Sequence, residues 1–319
     1  MLWLGAFGQA FAHHGVAALG AAGLEGPGAP IETSSSATLP AGSALLYAKV
    51  DHAPFRKYTA ARDGETDHFT FWLFGLGYGI RPYLSAYVFV PYTEKVREDG
   101  SVRSSGAGDV SLSAVLGLKW DEGLRLVPAS ESLDDLEDWH FTLYGGLTLP
   151  TADANARDRS GNLVPEFSLG FGEPSFTAGA TATKTAGARA TVVGEASYTY
   201  FRDHRHEGGV RNQFGSELRA NLALAYRLFE SQAKRFRLDA NLEGNFLRLG
   251  RDRTDGRPER ASGGEVLYGT GGVRLYYRRA SLAVGVKLPV ATSLNESSEQ
   301  QGSEGKERYR LVATLSLLL

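Results

Sequence analysis

Residues 236–246 read FRLDANLEGNF, and the two faces of this stretch decide the fold. One face carries Phe236, Leu238, Ala240, Leu242, Gly244 and Phe246; the other carries Arg237, Asp239, Asn241, Glu243 and Asn245. Side chains of an extended strand point alternately to opposite sides, so a period of two gathers the apolar residues on one surface and the polar ones on the other. Residues 218–228 repeat the pattern, with Leu218, Leu222, Leu224 and Leu228 on one face and Arg219, Asn221 and Arg227 on the other. The runs at 109–120, 139–150, 281–290 and 309–319 follow suit. At roughly ten residues each, they exceed the ~5–6 of a soluble strand and match the ~9–11 of a tilted membrane strand. The pattern predicts an all-β fold, a transmembrane antiparallel β-barrel.

Reading outward from these runs gives strands near 43–57, 67–80, 83–96, 108–120, 138–151, 173–185, 188–201, 213–228, 235–249, 264–278, 280–291 and 307–319. That is about twelve, an even number as bacterial single-chain barrels have. Long polar connections such as REDGSVRSSGAG (97–108), RDHRHEGGVRN (202–212) and GRDRTDGRPERASG (250–263) alternate with short turns at 81–82, 186–187 and 279–280. Short periplasmic turns and longer external loops are what a membrane barrel shows, and they place both termini in the periplasm. Residues 121–138 break the rule, being too long for a tight turn. Aromatic residues gather at strand ends, among them Phe69, Phe71, Trp72, Tyr92, Trp120, Trp139, Tyr198, Tyr200, Tyr226, Tyr277 and Tyr309, as two interfacial girdles require.

Composition excludes several alternatives. The net charge of −2 over 319 residues removes the basic footprint of a nucleic-acid binder. With no cysteine there is neither a disulfide scaffold nor a thiolate metal site. The 39 glycines, 14 tyrosines and 16 phenylalanines against a single methionine favour strands and turns. No apolar run approaches the ~18 residues of a membrane helix. The opening MLWLGAFGQAFA (1–12) reads as the hydrophobic end of a secretory signal, with Ala10 and Ala12 in the small positions before a cleavage site. The expected organisation is a residual signal peptide at 1–12, an N-terminal segment at 13–42 and an outer-membrane barrel over 43–319.

Segments LGYGIRPYLSAYVFVPY (76–92), GAGDVSLSAVLGLKW (106–120), HFTLYGGLTLPTAD (140–153), GEVLYGTGGVRLYYRR (264–279) and SLAVGVKLPVATSLN (281–295) resemble the outer-membrane proteins grouped with the phenol-degradation meta-pathway. The resemblance covers most of the chain after residue 43. It implies an outer-membrane barrel that acts as a transporter or channel, and it brings no catalytic residues.

Polar residues on the face turned from lipid must look into the lumen. The expected pore lining is Lys49, Asp51, Asp109, Lys119, Glu195, Glu217, Arg219, Arg227, Arg237, Asp239, Glu243, Arg274, Arg278, Lys287 and Arg310. Basic residues outnumber acidic ones there, so the set serves either as charge ladders bracing a narrow lumen or as a weakly anion-preferring constriction. Residues 13–40, rich in small residues and without a strand or helix period, either hang in the periplasm or fold back as a plug whose main chain must then bond to lumen side chains. His13 and His14 at the expected mature terminus can chelate copper or another late transition metal through nitrogen, though two histidines are weak evidence and an incidental pair near a terminus is the plainer reading. His204 and His206 lie between Asp203 and Glu207, where alternate spacing can bring both rings to one face; a solvated external loop satisfies the same pattern.

The expected function is passive passage of small solutes, either small hydrophobic or aromatic compounds or small anions and metal complexes, with outer-membrane lipid as the surrounding partner. The competing reading is a barrel that braces the envelope or binds a periplasmic or membrane partner protein. A barrel hydrolase would need a serine–histidine–acid set, and the few histidines stand beside no evident nucleophile.

Overall fold

The computed structural model describes residues 28–55, 66–97, 100, 102–129, 138–164, 167–260, 262–295 and 307–319. Twelve strands close into one antiparallel barrel. They are β1 (Ala44–Pro54), β2 (Thr66–Arg81), β3 (Leu84–Arg97), β4 (Ser111–Trp120), β5 (Trp139–Thr148), β6 (Ser175–Ala186), β7 (Ala190–Phe201), β8 (Glu217–Ser231), β9 (Phe236–Leu249), β10 (Gly264–Tyr277), β11 (Ala280–Leu294) and β12 (Arg310–Leu318). Each pairs with its sequence neighbours, and β1 closes on β12 in a register running from Leu45 opposite Leu318 to His52 opposite Leu311. Closure leaves the membrane-spanning backbone no unpaired edge, the condition for strands to cross lipid.

The short turns and both barrel termini share one end. Leu318 N–H donates to Arg279 O at 2.8 Å, and Gly42 N–H donates to Gly79 O at 2.7 Å. The connection at 121–138, too long for a turn, has a structural reason. Leu124–Leu126 doubles back to pair with Leu118, Lys119 and Trp120, occupying the wall below the point where β3 begins opposite Leu116. Val127 then turns inward and is 2% exposed. At the other end the short strand Arg103–Ala107 extends the wall above β4 against β3. His204–Arg205, Arg211–Gln213, Arg253–Thr254 and Arg257–Pro258 form a separate four-stranded sheet over that mouth.

Alternation sorts the side chains as the sequence requires. Leu222 and Leu242 point outward and are 64% and 66% exposed, the state of a lipid-facing side chain in a chain without its bilayer. Trp120 lies opposite Trp139 at the short-turn end, and Tyr92, Tyr198, Tyr200 and Tyr309 face outward toward the loop end. Phe69 and Phe71 are not girdle residues. They share the inward parity of β2 and are buried, while Trp72, next after Phe71, points the other way and meets Tyr92 edge-on at 5.7 Å.

Candidate functional site

The lumen has two chemically different halves. Tyr47, Phe71, Leu73, Tyr87, Phe89 and Val115 on β1–β4 form an apolar, largely aromatic wall, with the Tyr87 and Phe89 rings stacked at 5.9 Å. The facing wall, β6 to β12, presents Thr, Ser, Asn and charged residues inward: Thr183, Glu195, Asn221, Glu243, Asn245, Arg274 and Lys287.

Residues 28–40 lie between these halves. Ala29 N–H donates to Tyr276 Oη, and Arg274 donates to Pro30 O at 2.6 Å. Ile31, Glu32 and Thr33 then turn three successive N–H groups onto the Glu243 carboxylate, at 2.5, 3.0 and 2.9 Å. Ser34 N–H donates to Glu195, Ser36 N–H to Thr183 Oγ1, and Leu39 N–H to Ser85 Oγ. Thr38 Oγ1 donates to Pro82 O in the β2–β3 turn. The segment therefore rises from the short-turn end to mid-barrel at Glu32 and returns to the same end at Pro40. A chain with no sheet partner can be buried only if side chains satisfy its main-chain groups, and the polar wall supplies them. Gly272 and Gly285 make room for the Ile31 side chain, since a Cβ at either would lie under 3 Å from its Cδ1.

Glu32 is the charged centre of the contact. Its carboxylate lies 2.6 Å from Lys49 Nζ and 2.9 Å from Lys287 Nζ, with all three side chains at most 6% exposed. Lys49 also meets Asp51 at 3.3 Å, and Asp51 faces Arg310 at 3.7 Å. Arg310 in turn binds Glu307. Beside Glu32 is a small cavity lined by Ser34, Glu195, Arg219, Asn221, Asn245 and Tyr268 among others, a polar space with room for water.

Of the expected pore lining, Lys49, Asp51, Lys119, Glu195, Glu217, Arg219, Arg237, Asp239, Glu243, Arg274, Lys287 and Arg310 lie on the inward face of the barrel strands. They are paired within the lumen. Arg219 binds Glu217 and Arg237 binds Asp239, each at 2.7 Å and two residues apart on the same face. Lys119 meets Asp138 at 3.1 Å. Three residues are placed differently from expectation. Arg278 occupies the β10–β11 turn with φ 56° and reaches over the outward Tyr277 ring, because alternation stops where the turn begins. Arg227 sits at the short-turn mouth, bound to Glu230 beside the β8 bulge. Asp109 precedes β4 and is no wall residue: its carboxylate accepts N–H groups from Ala152 and Phe171, pinning the 149–174 connection. Burial pushes the Asp109 carboxyl above the ordinary range, opposed by those same N–H groups.

That pinned connection lies at the outer mouth. Phe171 packs against Phe201 and Phe214 with centroids 4.8 and 5.3 Å away, and Lys95 donates to Ser168 O. This aromatic cluster and the role of Glu32 were missed in the sequence. The only cue was a carboxylate inside an otherwise small and neutral stretch, GAPIETSSSATLP (28–40). His13, His14 and the signal-like residues 1–12 lie outside the described residues.

The geometry can be set beside known proteins. An outer membrane channel from Pseudomonas putida F1 matches with a TM-score of 0.67 at 16% identity, covering 89% of this chain and 98% of that one. The NanC porin matches with a TM-score of 0.47 at 6% identity over 85% of this chain and 98% of its own. A mutant of TodX, a monoaromatic hydrocarbon channel, matches with 0.42 at 11% over 88% and 91%. No curated protein matches by sequence. The first likeness shows the fold, and the apolar outer belt of that closed barrel is a lipid-facing surface. The family described as the putative MetA-pathway of phenol degradation matches residues 64–293, well over half the sequence, and the chain belongs to that family.

Proposed function

We propose that this chain is a passive outer-membrane channel for small solutes, drawn here in a closed state with residues 28–40 in its lumen. The observation that carries the reading is how the segment is held. Its fastenings are hydrogen bonds and ion pairs to lumen side chains, Glu243 and Lys287 foremost. Such groups rehydrate when the segment leaves, so the polar wall would remain a water-compatible pore. An interlocked apolar core has no comparable alternative state.

The solute class follows from the two walls. The aromatic wall of Tyr47, Phe71, Tyr87 and Phe89 suits small hydrophobic or aromatic compounds, in keeping with the family's link to phenol degradation. The basic groups opposite admit small anions or metal complexes. A molecule bearing both features, a small aromatic carboxylate, fits both walls at once. No bond-making step belongs to this reading.

One observation favours a second reading, a barrel that conducts nothing and serves the envelope or a protein partner: the lumen is filled from Glu32 up to Phe171. Liposome swelling separates the two. With the chain beginning at Ala41, small aromatic carboxylates should enter faster than aliphatic anions of equal size, and disaccharides should be slowest. No swelling with any solute would reject transport and leave the second reading.

A further inference from the structure

His204 and His206 meet above the outer mouth. Their ring centroids are 4.8 Å apart and the rings nearly perpendicular, at 89°. His206 is 5% exposed, and its position is fixed on both sides: its N–H donates to Val210 O, and its carbonyl accepts Gly209 N–H. Its Nδ1 faces Asn155 Oδ1 at 3.3 Å, and the ring also bonds to the Ala154 backbone. An Nδ1 that donates to the Asn155 amide oxygen leaves Nε2 with a lone pair, the tautomer that metal-ligating histidines adopt.

Three buried ring nitrogens here have no hydrogen-bond partner: His206 Nε2 and both nitrogens of His204. Unpartnered buried polar atoms are rare, and an ion is one of the few things that satisfies several at one point. The His204 ring lies in a space that Gly172 leaves open, where a Cβ would come 2.4 Å from Nδ1, and Gly172 itself has φ 75°. The neighbouring carboxylates are engaged elsewhere, Glu207 with Arg157 and Asp203 with Arg211.

We propose that His204 and His206 form a two-imidazole site for a late divalent transition metal such as Zn²⁺, with Asn155 and Ala154 orienting His206 and Gly172 seating His204. Two rings sharing one ion at about 2.0–2.1 Å from each nitrogen have centroids roughly 5 Å apart, the spacing seen here. Imidazole nitrogen suits zinc, copper and nickel over magnesium or calcium. Among the described residues no group of three His, Asp, Glu or Cys side chains converges on an ion. The described residues thus supply two ligands and leave the remaining positions to water or to ligands that the solute carries, which makes the site exchangeable.

The test is Zn²⁺ titration by calorimetry on the full chain without an affinity tag, carrying His13→Gln and His14→Gln to silence the terminal pair. One equivalent should bind. His206→Gln and, separately, His204→Gln should each weaken binding at least about tenfold, and Gly172→Ala should weaken it by displacing the His204 ring. His204 is less deeply buried than His206, so its variant should fold even if the His206 variant does not, and heat-modifiable migration on gels checks both. Absence of Zn²⁺ binding in the His13/His14 background would overturn the site. So would binding unchanged by His204→Gln, or binding that disappears instead on replacing His52 and His68.

Discussion

The carboxylate of Glu32 lies 2.9 Å from the ammonium of Lys287 at mid-height in the lumen, although 255 positions separate the two residues in sequence. Lys49 reaches the same carboxylate from the other side at 2.6 Å. One acidic residue on an irregular segment thus bridges two basic residues on β1 and β11, strands separated only by β12. Removing one partner of a buried pair leaves the other charge uncompensated, at a cost of about 3–5 kcal/mol. That is enough to change how often the segment is in place.

Replacing Glu32 with Gln should therefore raise the open probability of the full chain in planar bilayers by one or more orders of magnitude, while barrel folding is unchanged. Glu243→Ala, which takes away the acceptor of three main-chain N–H groups, should act in the same direction. Open probabilities equal to that of the parent chain would show that these fastenings do not control occupancy.

Arg219 and Arg237 neutralise Glu217 and Asp239 rather than standing as free cations. The double change Arg219→Gln and Arg237→Gln should thus uncover two carboxylates and move the reversal potential under a salt gradient toward cation preference. A reversal potential that stays put would mean that the permeation path avoids this wall.

Gly100, Gly208 and Gly256 have open space around them, with nothing within 4 Å of an added Cβ. All three lie in long connections at the loop end. Tags inserted there should be reached by antibody on intact cells, and a tag at Gly187 in the β6–β7 turn only after permeabilisation. The opposite pattern would invert the topology.

Burial holds the His206 imidazole below its ordinary range, and His204 beside it adds to the effect. A group with a lowered folded pKa takes up protons more readily unfolded than folded, so stability rises with pH wherever the unfolded state binds more protons. The outer sheet should be at full stability above the ordinary histidine value of about 6.5 and weaken as pH falls through it. Hydrogen exchange of residues 204–213, corrected for intrinsic rates, should show less protection at pH 5.5 than at 7.5. The difference should shrink in His206→Gln; an undiminished difference would assign it to another group.

The barrel was legible because one rule, alternation, acts at every strand and fixes which side chains see lipid. Leu242 outward and Glu243 inward follow from a period of two with no tertiary knowledge. The same rule fails where the backbone stops being a strand. It put Arg278 in the lumen although the β10–β11 turn swings it out, and Asp109 in the wall although it anchors a loop. Aromatic character misleads in another way: Phe69 and Phe71 read as girdle residues because it does not say whether a ring meets headgroups or a packed lumen. The course of residues 28–40 was beyond sequence reading for a different reason. The contacts are main-chain donors meeting side chains such as Glu243, more than 200 positions away, and no local pattern encodes that pairing.

The most direct test is single-channel conductance of two refolded proteins, the full chain and a chain beginning at Ala41. If residues 28–40 close the pore, the full chain should show small or rare openings, and the shortened chain larger and sustained ones with the same barrel fold by circular dichroism. Equal conductances would contradict that role and leave the segment a structural filling of the barrel.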